Sequence, residues 1–392
     1  MYHNTTSRDP LNLKKLNFSR NNLDHLPTLP ISLEILLCHS SRLCQLSLST
    51  LINLRELNCS NNCLTNLAEL PSCLELLDCS QNEIEELPSL PKLFYLECSY
   101  NKLQFLPTLP KRLKTLKCRS NELTRLPNLP NGIIELECSF NFIEEIEKIP
   151  NSVTDLRCNN NKLTKLQIPF RVKQLSCNVN FLTQILHFPL RLTYLNCSDN
   201  LLEKIGRLPN SLKILAIDRN KLNNLRNLPK NLIYLSCCHN MLTYLPKIPN
   251  KLGTLYCHQN RLREIPELPS GLLQFLCYGN LDLIILPKIP DTVEVFSAYE
   301  IQYNNEEIRM ISIETQMLYA LPTNIGCVNH INTKLKKFKY LFYLLKMKKN
   351  FRDWLWIRVR EKRARMMLHP KKIQRLLRNG STFDELEDLI QL

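Results

Sequence analysis

An asparagine returns every 19 to 21 residues through three quarters of the chain. It stands at 21, 62, 82, 101, 121, 141, 161, 180, 200, 220, 240, 260 and 280, and Ser41 fills the one gap. Around it runs the frame Leu-x-Cys-x-x-Asn-x-Leu-x-x-Leu, as in Leu77, Cys79, Asn82, Ile84 and Leu87. A unit this short cannot bury its own apolar face, so a core exists only when units stack. Leu and Cys two residues apart fall on one face of a short strand. Stacked strands then form a long parallel sheet. The Asn stands where the chain leaves the strand, and its amide can donate and accept at once. It is therefore expected to satisfy backbone groups of neighbouring turns that burial would leave unpaired, at a cost of roughly 1–3 kcal/mol if lost. Ser41, shorter and with one donor, predicts a weaker turn.

A proline follows the Asn slot by eight to ten residues in thirteen of the fourteen units, beginning with Pro30, Pro71, Pro91, Pro110 and Pro130. A second proline often precedes it, as in Leu26-Pro27, Leu106-Pro107 and Leu126-Pro127. Prolines three apart fix φ and remove donors, which forbids a helix and predicts an extended, polyproline-like convex side. This pattern resembles the leucine-rich repeat in its short Pro-containing form. It is similar to the repeats of bacterial secreted effectors and of leucine-rich proteins of giant DNA viruses of amoebae. The resemblance covers residues 11–298 and implies a curved solenoid whose concave sheet binds another macromolecule. It leaves residues 1–10 as an N-terminal flank, 299–333 as an irregular cap or linker and 334–392 as a basic helical tail.

Twelve cysteines occupy the Leu-x-Cys slot: 38, 59, 79, 98, 118, 138, 158, 177, 197, 237, 257 and 277. Phe18 and Ile217 take the same slot, so it asks for a buried hydrophobe, as Cys commonly is. Parallel inward side chains are poorly placed for disulfides. No CxxC pair suggests zinc. Cys238 lies off this ladder, on the outer face of its predicted strand beside His239; a thiol next to His can be reactive, but only in shaped surroundings that adjacency in sequence does not supply. Some effectors with similar repeats carry a ubiquitin-ligase domain with a Cys-x-Asp nucleophile. The one such triplet here, Cys197-Ser198-Asp199, falls on the core ladder, and the segment after the repeats is too small for that domain.

Residues between the core positions are expected to face solvent on the concave sheet. The early and middle turns place Glu56, Asp78, Glu97, Glu135, Glu137 and Asp155 there, interrupted by Lys117, Arg119 and Arg157. Later turns place Tyr194, Tyr234 and Tyr256, with Tyr278, His239 and His258 just beyond. Exposed Tyr on a rigid sheet is a common interface anchor, although Tyr also simply suits strands. The sequence reading takes Glu97, Glu135, Glu137, Asp155 and the Tyr/His set as the partner-binding surface.

The chain has 392 residues and a formal charge of +15. Residues 334–378 hold 17 Lys+Arg against Asp353 and Glu361, which accounts for all of it; the remaining residues balance at 34 of each sign. Helical spacing of Leu335, Phe338, Leu341, Phe342 and Leu345 predicts an amphipathic basic helix, and more helix follows through Trp354 and Ile357. The stretch from Phe351 to Ile373 looks similar to a tail on giant-virus proteins. Three readings stay open for it: a helical module docking on a partner, a nucleic-acid contact, or a contact with an anionic membrane. Its anion-binding candidates are Lys336, Lys337, Lys348, Lys349, Arg358, Arg360, Arg363, Lys371 and Lys372. Only 7 glycines are present, and no phosphate-cradling glycine motif occurs. No cofactor or metal is expected. The one enzymatic candidate outside the repeats is Cys327 near His330. The first twenty residues lack an apolar signal region, so a reducing intracellular setting is expected, a host cytoplasm if the chain is viral. The overall expectation is a non-catalytic interaction scaffold.

Overall fold

The computed structural model describes residues 13–298, apart from positions 68, 91 and 285. Fifteen three-residue strands, from Lys15–Asn17 to Val295–Ser297, form one parallel sheet. The register is in step with the repeat: Thr115 pairs with Glu135 and Glu135 with Asp155, while Leu116, Leu136 and Leu156 line up beneath them. From Leu36 to Leu255 each central leucine is fully buried, as are the twelve ladder cysteines and Ile217. The aliphatic residue three places before each of these leucines, from Leu33 to Leu252, is fully buried too. One continuous apolar cluster runs from Phe18 to Ala298. No unit could make that core alone, because each closes only one layer of it.

The asparagines bind the layers together. Asn121 donates through Nδ2 to the carbonyls of Cys98 in the preceding turn (3.0 Å), of Cys118 (3.2 Å) and of Arg119 (3.3 Å). Its Oδ1 accepts from Leu103 N at 3.0 Å. The pattern repeats through Asn280, which donates to Cys257 and Cys277. Ser41 shows the expected weakness: its hydroxyl reaches only Phe18 O, at 3.3 Å.

The residue before the Asn slot has positive φ in all fourteen turns, from Arg20 to Gly279, and only the last is glycine. A left-handed backbone costs an ordinary residue about 1–2 kcal/mol. Lateral bonds hold it: Tyr100 N donates to Arg119 O (2.7 Å), Phe140 N to Asn159 O (2.8 Å) and Val179 N to Ser198 O (3.0 Å).

On the return, the second proline's carbonyl accepts from the N–H three residues on, as Pro110 does from Leu113 at 3.1 Å. That turn starts the next strand. The convex side is extended, and no helix occurs among the described residues. Parallel pairing interrupts it at the Asn66–Glu86 bridge and where Gln184–Ile185 pairs with Lys204–Ile205. Gly206 follows, and a Cβ there would sit 1.9 Å from Leu186 O.

Candidate functional site

The strand residues flanking each central leucine form the outer face of the sheet, and two sections of it differ. In the first, charge meets charge. Lys117 Nζ lies 3.3 Å from Glu135, and Arg157 holds Asp155 through Nε (3.1 Å) and Nη2 (2.9 Å). Lys117 also lies 5.7 Å from the centre of the Tyr95 ring. Glu97 is half-buried, and its Oε1 accepts from Ser99 N at 3.1 Å. Burial, the largest influence on its carboxyl, raises that pKa.

Glu137 departs from the expectation of a solvent-facing group. It is 7% exposed, and its Oε1 accepts from Ser139 N at 3.0 Å. Its carboxylate caps the strand end instead of standing free. The reason is lateral crowding, because Lys117 and Arg157 occupy the same slot on either side.

In the second section rings replace charges. Tyr234 and Tyr256 meet edge to face with centroids 5.8 Å apart. His258 stacks on Tyr278 at 4.2 Å and meets His239 edge-on at 5.5 Å. The Tyr256 hydroxyl bonds Gln274 Oε1. Tyr194 lies in the same strand position as Tyr234, separated from it by Ile214. Beneath the rings is a polar pocket that sequence reasoning missed. Asp218 Oδ1 accepts from Ser236 Oγ (2.6 Å) and from Cys238 N (2.7 Å).

Cys238 does not stand on the outer face beside His239, as the strand pattern predicts. It is 3% exposed, and its Sγ lies 3.0 Å from His258 Nδ1, one turn away. The left-handed backbone at His239 turns that ring out into solvent. Burial and then the Asp218 charge push the Cys238 thiol well up. Burial, with His239 adjacent, holds His258 down at about 4. Both shifts favour the neutral forms, so the pair is a thiol–imidazole hydrogen bond and not a thiolate–imidazolium couple. Among the described residues no group of three or more His, Cys, Asp or Glu is placed to hold a metal.

The ladder thiols are inert for the same reason. Burial pushes Cys38 up to about 12, and deeper ones such as Cys98 and Cys118 higher. No described cysteine is in a disulfide. Cys197 is fully buried, which removes the Cys-x-Asp thiol from any surface chemistry. The tail candidates from Lys336 to Lys372, and Cys327 with His330, lie outside the described residues.

The architecture has known counterparts. YopM from Yersinia enterocolitica superposes with a TM-score of 0.66 at 36% identity over 68% of this chain. This chain spans 60% of that protein's length. The leucine-rich effector YopM from Yersinia pestis gives 0.65 at 28% identity, covering 74% of this chain and 89% of that one. The chain has the leucine-rich repeat fold. A third counterpart, the functional domain of InlJ from Listeria monocytogenes, is described as including a cysteine ladder. It gives 0.55 at 26% identity, with 68% of each chain covered. No protein-family model and no curated protein sequence matches the chain. In this leucine-rich repeat chain the ladder cysteines are core residues, and the variable chemistry lies on the concave slots.

Proposed function

We propose that the chain is a non-catalytic scaffold that binds a protein partner on its concave face, centred on Tyr234, Tyr256, Tyr278, His239 and His258. The supporting observation is the run of rings in contact across consecutive turns, Tyr234 to Tyr256 and His239 to His258 to Tyr278. Ring–ring packing fixes these side chains before a partner arrives, which lowers the entropy cost of binding. Tyr also carries a hydroxyl that can bond across an interface. The acidic section around Glu97, Glu135 and Asp155 contributes orientation more than affinity, since Glu135 and Asp155 are already paired with Lys117 and Arg157 and Glu97 with the Ser99 N–H.

Affinity capture with the full chain tests this reading. Tyr234→Ala with Tyr256→Ala is expected to lose partners that the wild type retains, while the thermal melt stays cooperative. An unchanged partner set would sink the proposal. A second reading rests on the localised charge: residues 334–378 carry +15 and would hold nucleic acid or an anionic membrane. Filter binding between about 50 and 200 mM salt tests the nucleic-acid form, which must weaken steeply. Flotation with anionic and neutral vesicles tests the membrane form.

A further inference from the structure

A repeat protein supplies its own control, because every slot recurs and a departure stands out. The slot just after the second proline is polar in most turns, as in Ser72, Lys111, Asn131, Asn151, Asn210 and Asn250. In two adjacent turns mid-chain it is large and apolar: Phe170 is 61% exposed and Leu190 is 86% exposed. These two residues line an open cleft of about 620 Å³ together with Thr154, Arg171, Lys173 and Arg191. The cleft coincides with a 19-residue unit. The return Leu166-Gln167-Ile168-Pro169 has one residue fewer than Leu126-Pro127-Asn128-Leu129-Pro130.

The charges around the cleft are of one sign. None of Arg171, Lys173 and Arg191 makes an ion pair among the described residues. Ile31 and Ile52 make the slot apolar near the start of the sheet as well, but there the nearby cations Lys14 and Arg55 are paired with Glu34 and Glu75. The Arg171 guanidinium lies 5.8 Å from the centre of the Phe170 ring. The backbone under the cleft is hydrogen-bonded from turn to turn. Lys173 N donates to Thr154 O, and Thr193 N to Lys173 O, both at 2.8 Å. Thr193 Oγ1 donates to Lys173 O as well, at 3.0 Å.

We propose that this cleft binds a polypeptide segment of a partner protein in which a large apolar side chain is flanked by carboxylates. The apolar side chain covers Phe170 and Leu190, which no part of the described chain covers. The carboxylates meet the three cations, whose mutual repulsion an anion relieves. Neighbouring turns lie about 4.8 Å apart, so one large side chain can cover both residues. A nucleic-acid backbone would satisfy the cations and leave the two apolar side chains wet. The cleft is independent of the ring section, so either surface can fail alone.

The repeat also supplies residues that other turns already accommodate in these slots. Phe170→Asn and Leu190→Asn place the residue of Asn131 and Asn151 in that slot. Arg171→Ser and Arg191→Ser copy Ser152 and Ser211, whose hydroxyls bond back to the preceding turn. The probe is a short fluorescein-labelled peptide with one Phe between flanking glutamates, measured by anisotropy with the full chain. The basic tail is present in every protein compared, so only the difference between wild type and variant reports on the cleft.

The fourfold variant is expected to bind the peptide about tenfold more weakly. A peptide with Lys for Glu, or Ser for Phe, is expected to show no such difference. Equal binding of the Glu–Phe peptide by wild type and variant overturns the proposal, as does no binding up to about 1 mM. A variant effect confined to oligonucleotides or to phosphatidylserine vesicles also overturns it. Should the fourfold variant melt early, Lys173→Thr decides by the same comparison, since Thr154 and Thr193 already stand in that slot.

Discussion

The two sections of the sheet's outer face have the same backbone and satisfy their polar groups by different means. Around residues 117–157 cations and carboxylates meet, as Lys117 meets Glu135 and Arg157 meets Asp155, and sign alternates along the slot of Lys117, Glu137 and Arg157. Around residues 234–278 the neighbours are rings, and the half-buried carboxylate of Asp218 accepts from the hydroxyl of Ser236 and the N–H of Cys238, both of which are buried. In a parallel sheet the first neighbour of a side chain is the same slot one turn away. Alternating sign in that slot produces a surface saturated by itself. Aromatic residues there produce a preformed relief with edges and hydroxyls at its surface. Under the proposed function, this difference would leave orientation to the first section and contact energy to the second.

The comparison assumes that the frame beneath both sections is equivalent. Asn121→Ala and Asn240→Ala test that assumption and carry the largest expected effect. Each removes an amide that donates to three carbonyls and accepts one N–H. Each is expected to cost about 3 kcal/mol in denaturant unfolding, and the two costs should agree within about 0.5 kcal/mol. A large disagreement would mean that the sections differ in their frame and not only in their surface.

Next in size is Asp218→Ala, which leaves Ser236 Oγ and Cys238 N without their acceptor in a buried setting. About 2 kcal/mol is expected. The matching change in the first section, Asp155→Ala, frees only an exposed guanidinium and is expected to cost under about 1 kcal/mol. Equal losses would erase the distinction between a buried polar network and a surface charge pair.

Much of this molecule is legible from the repeat. A slot's role is visible when fourteen copies of it are compared, so the central leucines, the ladder cysteines and the Asn contacts all follow from position. Contacts between copies are less visible, because they join residues about twenty apart that share no local motif. Cys238 pairs with His258, in its own slot one turn on, and not with its sequence neighbour His239. Slot-by-slot alignment of the units pairs them. Alternation alone makes Glu137 solvent-facing, yet the Ser139 N–H and the flanking long side chains enclose it. The left-handed turn before each Asn leaves a trace in Asn61, Asn160, Asp199 and Gly279, residue types that tolerate it. Tyr100, Phe140 and Val179 in the same slot obscure that trace.

A pH titration separates the sections further. The unfolded His258 imidazole takes up a proton near its ordinary value of 6.5, whereas the folded one resists until about 4. Folding therefore excludes a proton between those values. The contribution is complete above pH 6.5 and is lost as pH falls towards 4. With its partial exposure, the loss is expected to be about 1–2 kcal/mol. His258→Gln should flatten that part of the stability profile. A profile unchanged by the substitution would show that the ring is not held neutral by its surroundings.

The smallest expected effect belongs to the charge-paired section. Lys117 and Glu135 are each about 30% exposed and 3.3 Å apart. A double-mutant cycle with Lys117→Met and Glu135→Gln is expected to return less than about 1 kcal/mol of coupling. Raising salt from about 0.05 to 0.5 M should reduce that coupling further, because the pair is open to screening ions. The Asp218 contacts, made to the buried Ser236 and Cys238, should respond less to the same change. If the Lys117–Glu135 coupling proved larger than the loss at Asp218 and indifferent to salt, the first section would be the rigid, desolvated one. The partner contacts would then have to be sought among its carboxylates instead of the tyrosines.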